Sequence, residues 1–211
     1  MFVEIIRKYL CATIKSLLAS AKQRKIELEK TRYSHMTYVM NHKNEKITKC
    51  RAVAVGGNIV TRDGYYVLGK MSKHTSFPDV IQCIGGGLSE EDIFDGDPVH
   101  TFLRECKEEI GLTREDIVSI DDKKYIYIRD NQSTVGICYT ANIGLTKETL
   151  LQRFEQTVTD GEIESLVFVS ETYEAVSDLF MQQSLVDYAK VIFEQQLLDK
   201  SFGDIREYDF D

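Results

Sequence analysis

Three glutamates, Glu105, Glu108 and Glu109, stand at a spacing that could bind a metal ion. Successive residues of an α-helix are rotated by about 100°, so these side chains would share one helix face. Carboxylates at positions i, i+3 and i+4 repel one another, and each pair destabilises a helix by a few tenths of a kcal/mol. A hard divalent cation with oxygen ligands, Mg²⁺ or Mn²⁺, would compensate for this repulsion. The alternative is a solvated acidic face that binds nothing.

The surrounding residues predict a helix that is buried along one side. Phe102, Leu103, Cys106 and Ile110 fall on the face next to the glutamates, where we expect them to be buried. Gly111 stands where a left-handed C-cap is needed, so the helix should end there. The glutamates would therefore be carried by an element that is anchored in the core.

Three consecutive glycines, Gly85, Gly86 and Gly87, end an apolar stretch upstream of this helix. They would bring a backbone of little steric bulk beside the acidic face, where a phosphate or a metal ion could approach. Arg104 is next to Glu105 and could orient or neutralise it. A plain surface ion pair is the alternative for this arginine.

The nine residues RECKEEIGL that begin at Arg104 resemble the second half of the Nudix box, G-x5-E-x7-R-E-U-x-E-E-x-G-U, in which U is apolar. Every specified position of that half matches if Cys106 is taken as the apolar residue. The first half departs from the family spacing, because counting back from Arg104 places Gly96 at the family's glutamate and Glu90 at its glycine. We interpret this departure as an insertion of a few residues within 89–98.

The insertion assigns the first half of the box to residues at other spacings. Gly86 and Gly87 would take the place of the family's glycines, and their backbone would complete a cradle for metal or phosphate. The upstream glutamate of the box would be Glu90, Glu91 or Asp97.

The resemblance also implies roles for the helix residues. Glu108 and Glu109 would hold one or more Mg²⁺ (or Mn²⁺) ions. Glu105 would be either a further metal ligand or the catalytic base that activates a water molecule. Arg104 would be the partner that orients Glu105.

Charged residues elsewhere are candidates for the substrate and for the base. Lys70 and Lys73, with His74, could meet the phosphate charge of a substrate, and the alternative is an exposed loop. Glu162 follows Asp160-Gly161 at the head of a predicted strand, and the family often places a late acidic base or ligand in such a loop. Glu162 is therefore a catalytic candidate.

Predicted strands and helices are interspersed along the chain, which indicates an α+β fold. The predicted strands are 51–61, 65–71, 80–84, 124–129, 133–143 and 162–170, and the predicted helices are 99–110, 147–156 and one or two within 172–199. The resemblance implies a more specific architecture over residues 50–200, the Nudix-type α/β/α sandwich with a mixed β-sheet.

Residues 1–49 lie outside that core and are predicted to form an N-terminal helical extension. Apolar residues recur at intervals of three and four between residues 2 and 31, as in a helix, whereas 31–40 is predicted to be a strand or an extended connection. The helix could pack on its own domain, on a second subunit of a homodimer, or on a membrane surface. Residues 201–211 form an acidic tail.

Composition excludes several classes of protein. The formal net charge of −8 argues against a nucleic-acid-binding groove, although a bound metal would still permit a nucleotide substrate. The five cysteines are scattered without a C-x-x-C pair, which favours reduced thiols and a cytoplasmic location. No run of eighteen apolar residues predicts a membrane span, and the N-terminus does not resemble a signal peptide.

Two classes of function are compatible with these residues. The first is a metal-dependent hydrolase that cleaves the pyrophosphate bond of a nucleoside diphosphate linked to another group, such as ADP-ribose, a dinucleotide or a nucleotide sugar. A nucleoside triphosphate pyrophosphohydrolase is the alternative within this class. The second class is a non-catalytic binding module with the same fold. Because such a module would be expected to lose one of the three helix glutamates, their presence favours the enzyme.

Overall fold

The computed structural model describes the central part of the chain and isolated segments on both sides of it. The described residues are 10–13, 27–32, 34–35, 38, 41–42, 51–92, 97–122, 124–129, 134–182, 185, 189, 192–193 and 196. The predicted boundaries near residues 50 and 200, and the acidic tail, lie outside these ranges.

Strands and helices alternate along the described chain. The strands are β1 Leu10–Thr13, β2 Glu27–Lys30, β3 Arg51–Val60, β4 Tyr65–Met71, β5 Ile81–Gln82, β6 Ile84–Gly87, β7 Ile117–Ile120, β8 Tyr125–Arg129, β9 Thr134–Ile143 and β10 Ile163–Ser170. The helices are α1 Val99–Ile110, α2 Lys147–Gln156 and α3 Tyr173–Gln182, with 3₁₀ turns at Glu90–Asp92 and Arg114–Asp116. Within the described ranges, the predicted core elements are confirmed, and β7 is an additional strand.

The strand β3 is the centre of one mixed sheet that contains all the described strands. It pairs in parallel with β9, from Ala52 opposite Thr134 to Val60 opposite Asn142. It also pairs antiparallel with β1, β4 and β6, and the glycine strand β6 places Gly85 opposite Gly56. The three consecutive glycines Gly85, Gly86 and Gly87 thus belong to a strand that pairs with β3, the central strand of the sheet.

Two buried clusters of apolar side chains cover the two faces of this sheet. One joins Val55 of β3 to Phe102 of α1 and Leu150 of α2. The other joins Leu68 of β4 to Val176 of α3 and to Phe193 in a helical position near the C-terminus. Helices therefore lie on both faces, as the predicted α/β/α sandwich requires.

A chain of buried amides fastens the C-terminal helical residues to the sheet. The Asn58 side-chain amide donates to Gln196 Oε1 at 2.6 Å, and the Gln196 amide donates to the Thr140 hydroxyl. All three residues are buried, so each partner satisfies a polar group that has little access to water.

The predicted N-terminal helix over residues 2–31 is wrong for the residues described there. Leu10–Thr13 and Glu27–Lys30 form an antiparallel pair, and β1 adds this pair to β3 at Ala52. Leu28 packs against the core cluster. Pairing with an open sheet edge satisfies backbone groups that a helix would satisfy internally, so tertiary contacts override a weak helical pattern.

The prediction of a strand or extended connection over 31–40 is wrong at Ser34, His35 and Tyr38, which have helical backbone conformation. Thr31 and Arg32, the other described residues of this range, have no regular secondary structure. The rings of Tyr38 and His42 stack with centroids 4.0 Å apart, a contact at the i, i+4 spacing that supports a helix.

No helix in the described part of the chain has the length and apolar character needed to cross a membrane.

Candidate active site

The helix α1 ends as its sequence predicts. Gly111 has a φ of 71°, in the left-handed region. Its N–H donates to the Lys107 carbonyl at 3.1 Å, and the Leu112 N–H donates to the Cys106 carbonyl at 3.0 Å. These bonds satisfy carbonyls of the last turn and stop the helix directly after the glutamates.

Two of the three helix carboxylates are buried against the glycine strand. Glu105 and Glu109 are 2% and 1% exposed, whereas the Glu108 side chain is 41% exposed. The Gly85 N–H donates to Glu109 Oε2 at 3.0 Å. A Cβ atom on Gly86 would lie only 2.3 Å from Glu105 Oε1. The missing side chain at Gly86 therefore makes the room that the Glu105 carboxylate occupies.

Arg104 holds the acidic face together. Its Nη1 atom lies 2.9 Å from Glu105 Oε1 and 2.8 Å from Glu108 Oε2. Its Nε atom donates to Asp92 Oδ2 at 3.0 Å, and Nη2 is 3.5 Å from the Gly87 carbonyl oxygen. The predicted contact with Glu105 is present, and the side chain is only 30% exposed. Arg104 thus bridges the helix, the glycine strand and the 3₁₀ turn Glu90–Asp92.

The acidic residue that reaches Arg104 from upstream is Asp92, which was not among the three predicted candidates. Glu90 pairs with Lys30 Nζ at 2.7 Å. Asp97 pairs with Lys124 Nζ instead, at 2.6 Å. Residues of a 3₁₀ turn are about 120° apart, so the turn Glu90–Asp92 directs neighbouring acidic side chains to different sides. Sequence spacing alone does not distinguish members of such a turn.

The close approach of carboxylates perturbs their protonation. Burial raises the pKa of Glu109 well above its usual range, and the charge of Glu105 raises it further. Asp160 and Glu162 act in the same direction. Burial, followed by the charges of Glu109 and Glu105, likewise raises the pKa of the Cys106 thiol. The site therefore concentrates negative charge that a cation would neutralise.

The loop that carries Glu162 is tied to this helix. The Asp160 N–H donates to the Glu108 carbonyl at 3.1 Å, and the Ser72 N–H donates to the Glu162 carbonyl at 2.9 Å. The structure thus brings the predicted Glu162 to the helix end where Glu109 lies.

The two predicted lysines have different surroundings. Lys70 Nζ lies 2.8 Å from Glu164 Oε2 and 3.3 Å from Asp79 Oδ1. Lys73 is exposed in the loop that follows β4. Among the described contacts, neither lysine is joined to α1. The structure brings Glu105, Glu109, Arg104, Gly86, Gly87 and Glu162 together and leaves the lysines outside this group.

The carboxylates suit a hard divalent cation by their chemistry. Among the described residues, no three histidine, cysteine or acidic side chains converge as a metal-binding group, and the Arg104 guanidinium pairs with both Glu105 and Glu108. All three glutamates nevertheless offer oxygen donors, which are the ligands that Mg²⁺ and Mn²⁺ prefer. The absence of a side chain at Gly86 lets the backbone of the glycine strand come close to both carboxylate oxygens of Glu105.

Comparisons with known proteins identify the fold. No protein-family model and no curated protein matches the sequence. An Ap4A hydrolase of C. elegans matches with a TM-score of 0.51 and 13% identity over 70% of this chain and 98% of its own. The bifunctional NMN adenylyltransferase/ADP ribose pyrophosphatase of Francisella tularensis matches with a TM-score of 0.51 and 15% identity over 79% of this chain and 46% of its own. These likenesses confirm the predicted Nudix-type sandwich.

Proposed function

We propose that this chain of Nudix fold is a metal-dependent hydrolase that cleaves the pyrophosphate bond of a nucleoside diphosphate linked to another group. The observation that carries the proposal is the contact of Gly86 with the buried Glu105 carboxylate. It brings the first and second halves of the box together in space, although their spacing along the chain departs from the family pattern.

In the proposed site, Glu105, Glu108 and Glu109 would hold Mg²⁺ or Mn²⁺. A bound ion would neutralise charge on the pyrophosphate and help to generate a nucleophile from water. Burial, followed by the charge of Glu105, raises the pKa of Glu109, and a cation at this position would favour its ionised form. The Gly85 N–H keeps the Glu109 carboxylate directed to the glycine strand.

The other residues of the site would orient the ligands and accept a proton. Arg104 holds the Glu105 carboxylate in place, and its positively charged guanidinium pairs with both Glu105 and Glu108. Glu162 or Glu105 would act as the base that takes the proton of the attacking water. The exposed Lys73 remains a candidate for the substrate phosphates, whereas Lys70 has its charge engaged by two carboxylates.

The fold neighbours agree with a substrate of this class. One is named as an Ap4A hydrolase, and the other is named as a bifunctional protein that includes an ADP ribose pyrophosphatase. We also propose a cytoplasmic location, which is supported by the free thiols of the described cysteines Cys83, Cys106 and Cys138. A homodimer stays a prediction, which a molecular mass measured in solution would test.

The test is product release from ADP-ribose, dinucleotides, nucleotide sugars and nucleoside triphosphates, with and without Mg²⁺ or Mn²⁺. We expect metal-dependent cleavage of at least one diphosphate-linked substrate. Preference for triphosphates would indicate the alternative hydrolase, and Mn²⁺ binding without cleavage of any substrate would favour a binding module.

Glu108→Gln tests the role of the half-exposed ligand. We expect this variant to lose turnover, while its unfolding free energy stays within about 1 kcal/mol of wild type because exposed ion pairs contribute little. Glu155→Gln, on the exposed side of α2, is the matched control and should keep full activity. Wild-type turnover in Glu108→Gln would contradict the ligand assignment.

A further inference from the structure

The Asp97 carboxylate gathers three donors just before α1 begins. Lys124 Nζ lies 2.6 Å from Oδ2, and the Tyr139 hydroxyl donates to Oδ1. The N–H of Val99, the first residue of α1, also donates to Oδ1, at 3.1 Å. One side chain therefore joins the helix start to β9 and to the residue preceding β8.

A second contact reinforces this junction from within the core. The ring of Tyr139 stacks on Phe102 of α1 with centroids 5.8 Å apart and an interplanar angle of 8°. Phe102 in turn lies against Gly57 of β3, where a Cβ atom would be 2.9 Å from its ring. Asp97 thus holds the hydroxyl of the same tyrosine whose ring supports the helix.

The ionised state of Asp97 is maintained by these donors. Burial acts to raise the pKa of Asp97, but the hydrogen bonds from Lys124 and Tyr139 outweigh it and lower the pKa below its usual value. The junction is therefore charged over the whole range in which carboxylates are normally ionised.

The position of α1 matters because Glu105 packs closely against the glycine strand. Glu105 lies six residues beyond Val99, which corresponds to about 9 Å along the helix at 1.5 Å per residue. Its carboxylate already occupies the space over Gly86. A small tilt or slide at the helix start would change how Glu105 meets the glycine strand.

We propose that Asp97 is a positioning residue, which sets the placement of α1 and thereby the distance between Glu105 and Gly86 through Tyr139 and Lys124. This inference rests on the proposed function for its effect on turnover. It does not require Asp97 to touch the metal or the substrate. The role differs from the upstream glutamate of the box, because the described contact with Arg104 is made by Asp92.

The experiment compares Asp97→Asn with Asp116→Asn. Asp116 is the matched control, since its carboxylate also accepts from a basic side chain, Arg153 at 2.5 Å, and from Thr113, but at the turn that precedes β7. Both variants should lower the urea midpoint to a similar extent. Asp97→Asn should lower kcat by about 10- to 100-fold with KM changed less than about twofold, and should weaken Mn²⁺ binding about tenfold. Asp116→Asn should keep kcat and Mn²⁺ affinity.

Hydrogen exchange of the α1 amides supplies a measurement that does not depend on turnover. Exchange between residues 99 and 105 should become faster in Asp97→Asn and stay at the wild-type rate in Asp116→Asn. Tyr139→Phe keeps the stacked ring and removes one donor, so it should show a smaller change of the same kind. If wild type cleaves nothing, the proposed function fails, but faster exchange would still support the positioning role. Unchanged α1 exchange in a folded Asp97→Asn variant, or unchanged kcat and Mn²⁺ affinity in an active enzyme, would overturn it.

Discussion

Gly86→Ala tests whether the glycine strand makes the room that Glu105 needs. The added Cβ atom would lie 2.3 Å from Oε1, 2.5 Å from Cδ and 2.9 Å from Oε2 of Glu105. Ordinary contact begins at 3.4 Å, so the Oε1 atom would have to withdraw by 3.4 − 2.3 = 1.1 Å. The carboxylate is 2% exposed, and such a shift must be absorbed inside a packed interface.

The expected loss of activity follows from this displacement. A misplacement of about 1 Å can reduce turnover by about 100-fold, which corresponds to about 2.7 kcal/mol of transition-state stabilisation. Overpacking should also lower the unfolding free energy by about 1 to 3 kcal/mol. For a chain of this size, that change lowers Tm by about 2 to 12 °C.

The assay combines kcat for the best diphosphate-linked substrate with Mn²⁺ affinity and thermal unfolding. Gly144→Ala is the matched control, because the nearest atoms to its added Cβ would be 3.6 Å away, on Val118, and 3.8 Å away, on Asp116. The control should keep full activity and wild-type stability or better. A Gly86→Ala variant with kcat within threefold of wild type would refute the reasoning.

Three further predictions concern stability. Burial acts to raise the pKa of Asp116, but the hydrogen bond from Arg153 prevails and the pKa is lowered. The stability that Asp116 contributes is therefore present above its ordinary pKa of 3.8 and is lost as the pH falls through the lower pKa of the folded state. In urea unfolding from pH 6 to pH 2, the unfolding free energy of Asp116→Asn should fall less with decreasing pH than that of wild type. Gly136→Ala should cost about 1 to 3 kcal/mol in urea unfolding, because its Cβ atom would overlap the Tyr127 ring, and an unchanged midpoint would contradict this packing. Gln196→Ala should cost about 2 to 5 kcal/mol, since two buried partners lose their hydrogen bonds, and a loss under 1 kcal/mol would show that they find water instead.

The helix α1 is predictable from sequence because several local signals agree. The apolar spacing around Phe102 and Cys106 defines the buried face, and Gly111 supplies a left-handed cap, so the predicted range 99–110 coincides with α1. The hairpin of β3 and β4 is similarly local, since its turn contains Asp63-Gly64 and Gly64 has a φ of 80°. Local signals are therefore enough to predict these elements.

Elements that depend on distant partners are not predictable in the same way. The strand β1 exists as a partner for Arg51 and Ala52, which lie about forty residues further along the chain. Asp92 reaches Arg104 only because a 3₁₀ turn and a helix meet in space. Lys70 carries the positive charge expected of a phosphate-binding residue, but its position on β4 places it beside Glu164. In each case, the deciding contact crosses between elements.

The stretch between the glycines of β6 and Arg104 is held at two acidic residues. Asp92 is held by Arg104, and Asp97 is held by Tyr139 and Lys124, so each keeps its place through contacts with other parts of the chain. The free energy of closing a flexible connection rises by about 0.6 kcal/mol for each doubling of its length, which is small against a total stability of about 5 to 15 kcal/mol. We therefore expect residues inserted between Asp92 and Asp97 to cost little stability. The number of residues between the glycines and Arg104 can then vary, whereas their separation in space is set by the contact of Arg104 with Gly87.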